Sequence, residues 1–264
     1  MLSTRKPFSC GDNGCFRTRV GMTKHFAVVG NPISQSLSPK IHKAAYEFLG
    51  LDNTYTAHEV EIGGLRNFLN QNQALSGVSV TMPLKIEAFR LSDNVDEVAY
   101  ITEVVNTVLI ANSEYYGFNT DVFGITKAVE HLNVKYTAII GSGATARSAI
   151  YAMQHMEQKP NVKLFARNQE EAGKLAAKFS VEVGDISTYQ GGFDLVINTV
   201  PALAILNSGY VLNTSYSKEE SLASNEISGK EMLLWQALAQ LRIFINGTMS
   251  DKFEAVSYTH LRAH

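Results

Sequence analysis

The sequence predicts an α/β protein of two domains, the second built on a doubly wound parallel sheet. Three observations predict it. Short apolar runs alternate with amphipathic stretches along most of the chain, the pattern of strands and helices in βαβ units. Several of those runs stop at Gly, Asn or Pro, as buried strands do at their carboxyl ends. One run, Tyr136–Ile140, leads straight through Gly141-Ser142-Gly143 into a helical stretch.

Taken in order, His25–Gly30 is a buried strand stopped by Gly-Asn-Pro. Ser38-Pro39 opens a helix, with Ser38 as N-cap and Pro39 at the first helical position; Ile41, Ala44, Ala45 and Phe48 form its buried stripe. Residues 54–60 alternate as a strand, 63–69 read as helix, and 77–81 form a second apolar strand ending at Pro83. A helix from Leu84, a strand over 104–110 and a hairpin through Ala111-Asn112-Ser113 lead to Asn119-Thr120-Asp121. These strands should form a mainly parallel sheet. The second unit starts near Phe123, with a helix over 125–131, the strand and glycine loop, and a helix to about Met156. A strand over 162–165, a helix over 170–179, an extended piece at 181–183 and a buried strand over 193–197 follow. After Gly229, residues 230–245 close the chain as an apolar helix.

Composition excludes several classes. Hydrophobic residues make up 45% and charged residues 18%, an ordinary globular balance. A net charge of −2, from 23 basic and 25 acidic residues, lacks the basic footprint of nucleic-acid binding. No apolar run approaches the ~20 residues needed to span a bilayer. Only Cys10 and Cys15 are present, which excludes a multi-bridge disulfide framework or a four-cysteine zinc site. No metal is expected, and a reducing cytoplasm is the natural setting. Residues 1–21 have no apolar period and no signal-peptide core, so Met22 reads as the start of the fold. Residues 257–264 look like translated adapter sequence.

Strand, Gly-x-Gly, helix is an arrangement that offers backbone N–H groups and a helix N-terminus to a pyrophosphate. Gly141, Ser142, Gly143, Ala144 and Thr145 form that loop, with small residues where a third glycine is usual. The motif alone fits dinucleotide binding and a plain helix-entry turn equally. The next strand ends in Ala166-Arg167-Asn168. An acidic residue there would suit a ribose 2′-hydroxyl; a guanidinium suits a 2′-phosphate. A solvated loop arginine is the plain alternative, and the position one strand after the glycine loop favours NADP.

Four segments in the first half carry polar residues beside buried strands: 30–39, Val80-Thr81-Met82-Pro83-Leu84-Lys85, Val105-Asn106-Thr107 and 117–121. With the glycine loop, Ala166-Arg167-Asn168, Asn198-Thr199-Val200-Pro201 and 229–237, they occur in the order found in shikimate dehydrogenases. The chain resembles that family over about 26–247. The resemblance implies an N-terminal α/β substrate domain plus a Rossmann-type doubly wound parallel-sheet NADP domain, and NADP-dependent oxidation of shikimate to 3-dehydroshikimate. It implies that Ser36 and Ser38 hold the carboxylate, that Thr81, Asn106, Asp121 and Gln236 hold ring hydroxyls, and that Lys85 sits at the reacting hydroxyl. Tyr216, from the family's Asp-x-x-Tyr segment, joins the substrate set. Gly141, Ser142, Gly143, Ala144, Thr145, Arg167, Asn168 and Gly229 form the cofactor set. The domain limits expected are 22–122 for substrate, 123–228 for nucleotide and 229–247 for a helix packing back on the substrate domain. Residues 1–21 are expected to be a non-native or flexible extension, and 248–264 an artefactual tail. A monomer or homodimer is expected, with a small-molecule substrate as the only partner.

A physical case stands beside the resemblance. Hydride leaves a carbinol carbon only as the hydroxyl proton leaves, so a positioned acid/base is required. Lys85 serves if its surroundings tune it, with Asp121 to orient it; a surface lysine and a helix N-cap are the plain alternatives. Gln236 has its own, a polar residue on a helix face. The chain departs from the family at Gln35, Ser79 and Leu84, and at Glu171, where many members carry a second arginine. It is also shorter than usual between Pro201 and Gly229. Quinate or a related cyclic hydroxy acid is the competing substrate, and a catalytically silent NADP-binding paralogue is the competing class.

Overall fold

The computed structural model describes residues 23–200, 208–215 and 225–246. The chain forms two compact units. One runs to Thr120 and takes in the chain again from Gln236; the other is Asp121–Trp235.

In chain order the first unit holds β1 (His25–Gly30), α1 (Ser38–Phe48), β2 (Thr54–Glu59), α2 (Leu65–Gln71) and β3 (Leu75–Val80). It continues with α3 (Lys85–Leu91), β4 (Asn94–Val95), α4 (Glu97–Thr102), β5 (Thr107–Ala111) and β6 (Glu114–Phe118). The strands form one sheet in the order β2-β1-β3-β5-β6-β4. β1 lies parallel to both β2 and β3. β4 also lies parallel to β6, so three of the five pairings are parallel, as expected, while β3–β5 and β5–β6 are antiparallel. The cause is local: Asn112 and Ser113 take φ of 52° and 63°, the left-handed pair that closes a two-residue hairpin.

β1 is a continuous apolar run because both faces of the sheet are covered. Ala27 and Val29 pack with Leu65, Val78, Leu84 and Ala88 on one face. Phe26 packs with Tyr46, Phe118 and Phe244 on the other, its ring stacked on that of Phe244 at 4.5 Å. Helix α1 departs from the expected register. Leu37, not Ser38, holds the N-cap position, with no side-chain cap bond, and Ser38 is already helical. The buried face is Ser38, His42, Ala45 and Tyr46, while Phe48 is 45% exposed. A serine and a histidine occupy two of the inward positions, so the apolar count settled on the neighbouring face.

The second unit holds α5 (Asp121–Val129), β7 (Tyr136–Ile140), α6 (Ala144–Gln154), β8 (Asn161–Ala166), α7 (Gln169–Phe179) and β9 (Glu182–Asp185). Then come β10 (Leu195–Asn198), β11 (Tyr210–Asn213), β12 (Glu226–Ile227) and α8 (Gly229–Asn246). Strand order is β12-β11-β10-β7-β8-β9, every pairing parallel. The chain winds outward from β7 in one direction, then returns to β10 and winds in the other. Such sheets bind ligands at the carboxyl ends of the two strands where the winding reverses. Helix α5 begins at Asp121, four residues before the expected start. Helix α8 is divided: Gly229–Trp235 belongs to this unit and Gln236 onward to the first.

Candidate substrate and nucleotide sites

In the first unit the loops after β1 and β3 lock together. Asn31 N donates to the Met82 carbonyl and Thr81 N to the Val29 carbonyl, each at 2.9 Å. A side chain at Gly30 would run into Thr81 and the Met82 carbonyl, so only glycine allows this approach. Ser36 is half-buried, and its hydroxyl accepts from Ser38 N at 3.4 Å. Ser38 is buried, while Thr81 and Lys85 are half-buried. Lys85 opens α3, and its carbonyl accepts from Val105 N at 3.1 Å, tying the lysine's backbone to the stretch that delivers Asn106.

Asn106 is the centre of a buried polar array. Its Oδ1 accepts from Thr120 N and Thr107 Oγ1, both at 2.9 Å. Its Nδ2 donates to Thr120 Oγ1 at 2.9 Å and Gln236 Oε1 at 3.3 Å. The Asn106 carbonyl accepts from Val80 N at 2.7 Å and from Gln240 Nε2 at 3.1 Å. Gln240 Oε1 in turn accepts from Ser79 Oγ at 2.8 Å, and that hydroxyl accepts from Tyr55 OH at 2.6 Å. A polar chain so fully paired fixes one arrangement of its members, since any stranded group in this interior costs more than the bond itself. The structure therefore brings together Asn106 and Gln236 of the sequence-predicted set, and adds Tyr55, Thr107, Thr120 and Gln240. Gln240 had a visible signal: it lies one turn past Gln236, within the mostly apolar stretch 232–241 of the helix. His42 stacks on Tyr55, with ring centroids 4.1 Å apart. Burial pulls its pKa down to about 3, against an opposing pull from the Gln240 side chain, so the ring is neutral.

In the second unit, Asp121 is buried at the first turn of α5. Gly141 takes φ of +115°, and a Cβ added there would meet Thr199 and Val200. Gly143 is the N-cap of α6 with no side-chain cap bond, and an added Cβ would meet open space. The first N–H groups of α6 thus lack a side-chain cap and face a cleared approach, which fits the pyrophosphate of a dinucleotide. Ser142, Ala144 and Thr145 are half-buried around it. Arg167 is exposed and, among the described residues, holds no hydrogen bond or ion pair. The Asn168 side chain caps α7 by accepting from Glu171 N at 3.1 Å. A Cβ on Gly229 would run into the Asn213 carbonyl, so close packing at the end of β11 requires this glycine whatever else it does. Tyr216 lies outside the described residues.

A doubly wound parallel sheet with an open glycine cradle, joined in one chain to a unit carrying a buried amide and hydroxyl array, defines a class: the nicotinamide-dependent oxidoreductases. Known proteins narrow it. Residues 28–108 match the family model for the shikimate dehydrogenase substrate binding domain. The shikimate dehydrogenase (NADP(+)) of Staphylococcus aureus strain MSSA476 is 32% identical over 208 residues, covering 76% of this chain and 77% of that protein. The crystal structure of shikimate dehydrogenase from Aquifex aeolicus superposes with a TM-score of 0.77 at 28% identity, covering 91% of this chain and 97% of that one. Shikimate 5-dehydrogenase from Thermus thermophilus, solved in complex with NADP(H) and shikimate, gives 0.78 at 26% identity, covering 91% and 99%. The chain belongs to the shikimate dehydrogenase family. The two-part α/β fold expected from the sequence is the fold of these neighbours.

Proposed function

We propose that the chain catalyses the reversible NADP-dependent oxidation of shikimate to 3-dehydroshikimate. The observation that carries this reading is the buried array in which Asn106, Thr120 and Gln236 meet within 3.4 Å. Amides and hydroxyls held in one arrangement offer the donors and acceptors that a polyhydroxylated ring needs, which an apolar pocket could not. Asn106, Gln236, Thr81 and Asp121 hold ring hydroxyls, with Tyr216 as a further contact, and Ser36 and Ser38 hold the carboxylate. Lys85 takes the proton of the reacting hydroxyl as its carbon is oxidised, and returns it in the reverse direction. Asp121 accepts a hydrogen bond from the substrate and holds the lysine's charge.

The residues 141–145 and the α6 N-terminus would hold the pyrophosphate, Arg167 and Asn168 the ribose phosphate, and Gly229 the nicotinamide side. When bound, NADP supplies the hydride acceptor. Among the described residues no helix is long and apolar enough to cross a membrane; the proposal places the reaction in the cytoplasm, on a monomer or homodimer. The test is NADP+ reduction followed by absorbance with shikimate, then quinate, then with NAD+ in place of NADP+. Shikimate with NADP+ should be the best pair. Faster turnover of quinate would reassign the substrate, and no reduction with either acid would overturn the reading.

A further inference from the structure

We infer that Glu171 sets the margin by which the chain distinguishes NADP from NAD, working against the 2′-phosphate that Arg167 attracts. The inference rests on the reading of Arg167 as the 2′-phosphate ligand. An anion is ordinarily welcome at a helix N-terminus, yet the first turn of α7 already carries Glu170 and Glu171. The two differ in freedom. Glu170 is exposed and, among the described residues, meets only the exposed Lys174, at 2.7 Å. Glu171 is clamped. Its Oε1 accepts from Arg147 Nη2 at 2.7 Å, and that arginine, on α6, is only 11% exposed. Its Oε2 lies 3.9 Å from Lys174 Nζ, and its backbone N–H is spent on the Asn168 cap.

An unrestrained glutamate would swing away from an incoming dianion at little cost. This one would have to break its bond to a largely buried guanidinium. At the third position of a helix a glutamate commonly folds back to the N-cap amide; here it reaches across to α6 instead. Its charge is held at the start of α7, and it also cancels the positive charge of Arg147. A 2′-phosphate therefore meets one unengaged guanidinium, Arg167, and one immobile carboxylate. A 2′-hydroxyl meets a carboxylate that can accept its hydrogen bond, as acidic residues do in NAD sites.

The test is the dissociation constant of NADP+ and of NAD+, measured by isothermal titration calorimetry on the wild-type chain, Glu171→Gln, Glu171→Ala, Glu170→Gln and Arg167→Ala. Gln keeps an acceptor for Arg147 and removes only the charge. Glu171→Gln should tighten NADP+ roughly three- to tenfold and leave NAD+ within about twofold, with the gain shrinking as salt is added. Glu171→Ala should move the ratio in the same direction, and Glu170→Gln should leave it within about twofold. An unchanged ratio in both Glu171 variants would overturn the inference, as would equal tightening of both nucleotides, which reports a general loosening. If Arg167→Ala leaves NADP+ binding intact, the reading of the loop itself fails, and the role of Glu171 fails with it.

Discussion

Replacing Gln240 with Leu should weaken the first unit by about 2–3 kcal/mol. Gln240 and Ser79 are 2% and 3% exposed, so water cannot take over either partner's role. The substitution removes the bond to the Asn106 carbonyl, which keeps Val80 N as its other donor; that loss is worth ~1 kcal/mol. It also strands the Ser79 hydroxyl, whose proton pointed at Gln240 Oε1, at a cost of ~1–2 kcal/mol. Urea unfolding read by far-UV circular dichroism should show the midpoint falling by ~1 M for a slope of ~2–3 kcal/mol/M. Ser79→Ala in the same chain removes the stranded donor, so the double variant should be less damaged than the two single losses added together. Additive losses would refute the argument, as would a Gln240→Leu variant as stable as the parent. Either result would mean that these buried groups are not coupled as their geometry implies.

Lys85→Ala should lower turnover by ~10²–10⁴ with modest change in shikimate affinity; near-normal turnover would remove the proposed mechanism. Asp121→Asn should lose similarly, and the double variant should be little worse than the worse single, since groups acting as a unit are non-additive. Arg167→Ala should raise the Michaelis constant for NADP and leave that for NAD almost unchanged, each lost charge-assisted bond being worth ~1.5–3 kcal/mol; equal losses with both cofactors would refute phosphate reading. Burial holds the Asp96 carboxyl up at about 6 from 3.8, partly offset by the backbone amides of Ala99 and Asn119. A raised carboxyl pKa stabilises the fold at pH below the unfolded value, and that contribution is lost as pH rises through about 6. Asp96→Asn keeps an acceptor for Ala99 N, so its stability relative to the parent should grow by up to ~3 kcal/mol between about pH 4 and pH 7. A difference constant with pH would contradict this.

The parallel sheet of the second unit was legible because each of its central strands is a short apolar run buried on both sides, and the glycine loop fixes where a strand must give way to a helix. The mixed sheet of the first unit was less legible. Its hairpin could be read at Asn112-Ser113, but not that this hairpin would seat β5 against β3 with reversed polarity. The two-residue β4 and the six-residue α4 were missed, because neither is long enough to show a period. Asn106 and Gln236 could be picked out as polar residues in apolar surroundings. Tyr55 and Ser79 could not be paired from sequence, since their hydroxyls meet only because β2 and β3 flank β1 on opposite sides of the same sheet.

The allocation of α8 bears on how the protein is made. The first unit is interrupted at Thr120 and resumes only at Gln236, so the whole nucleotide unit is spliced into it as an insert. Thr120 and Gln236, the two ends of the interruption, are joined by a hydrogen bond of 3.4 Å. During synthesis the ribosome releases β1 to β6 long before Gln240 and Phe244 emerge. Until then Asn106 lacks its amide partners and Phe26 faces water where Phe244 should stack. The inserted unit has its complete sheet by Ile227 and can mature while the older unit waits. Nascent chains arrested before Gln236 should therefore expose the Phe26 face to proteases and holdase chaperones. Release of the helix from Gln236 onward should end that exposure in a single cooperative step.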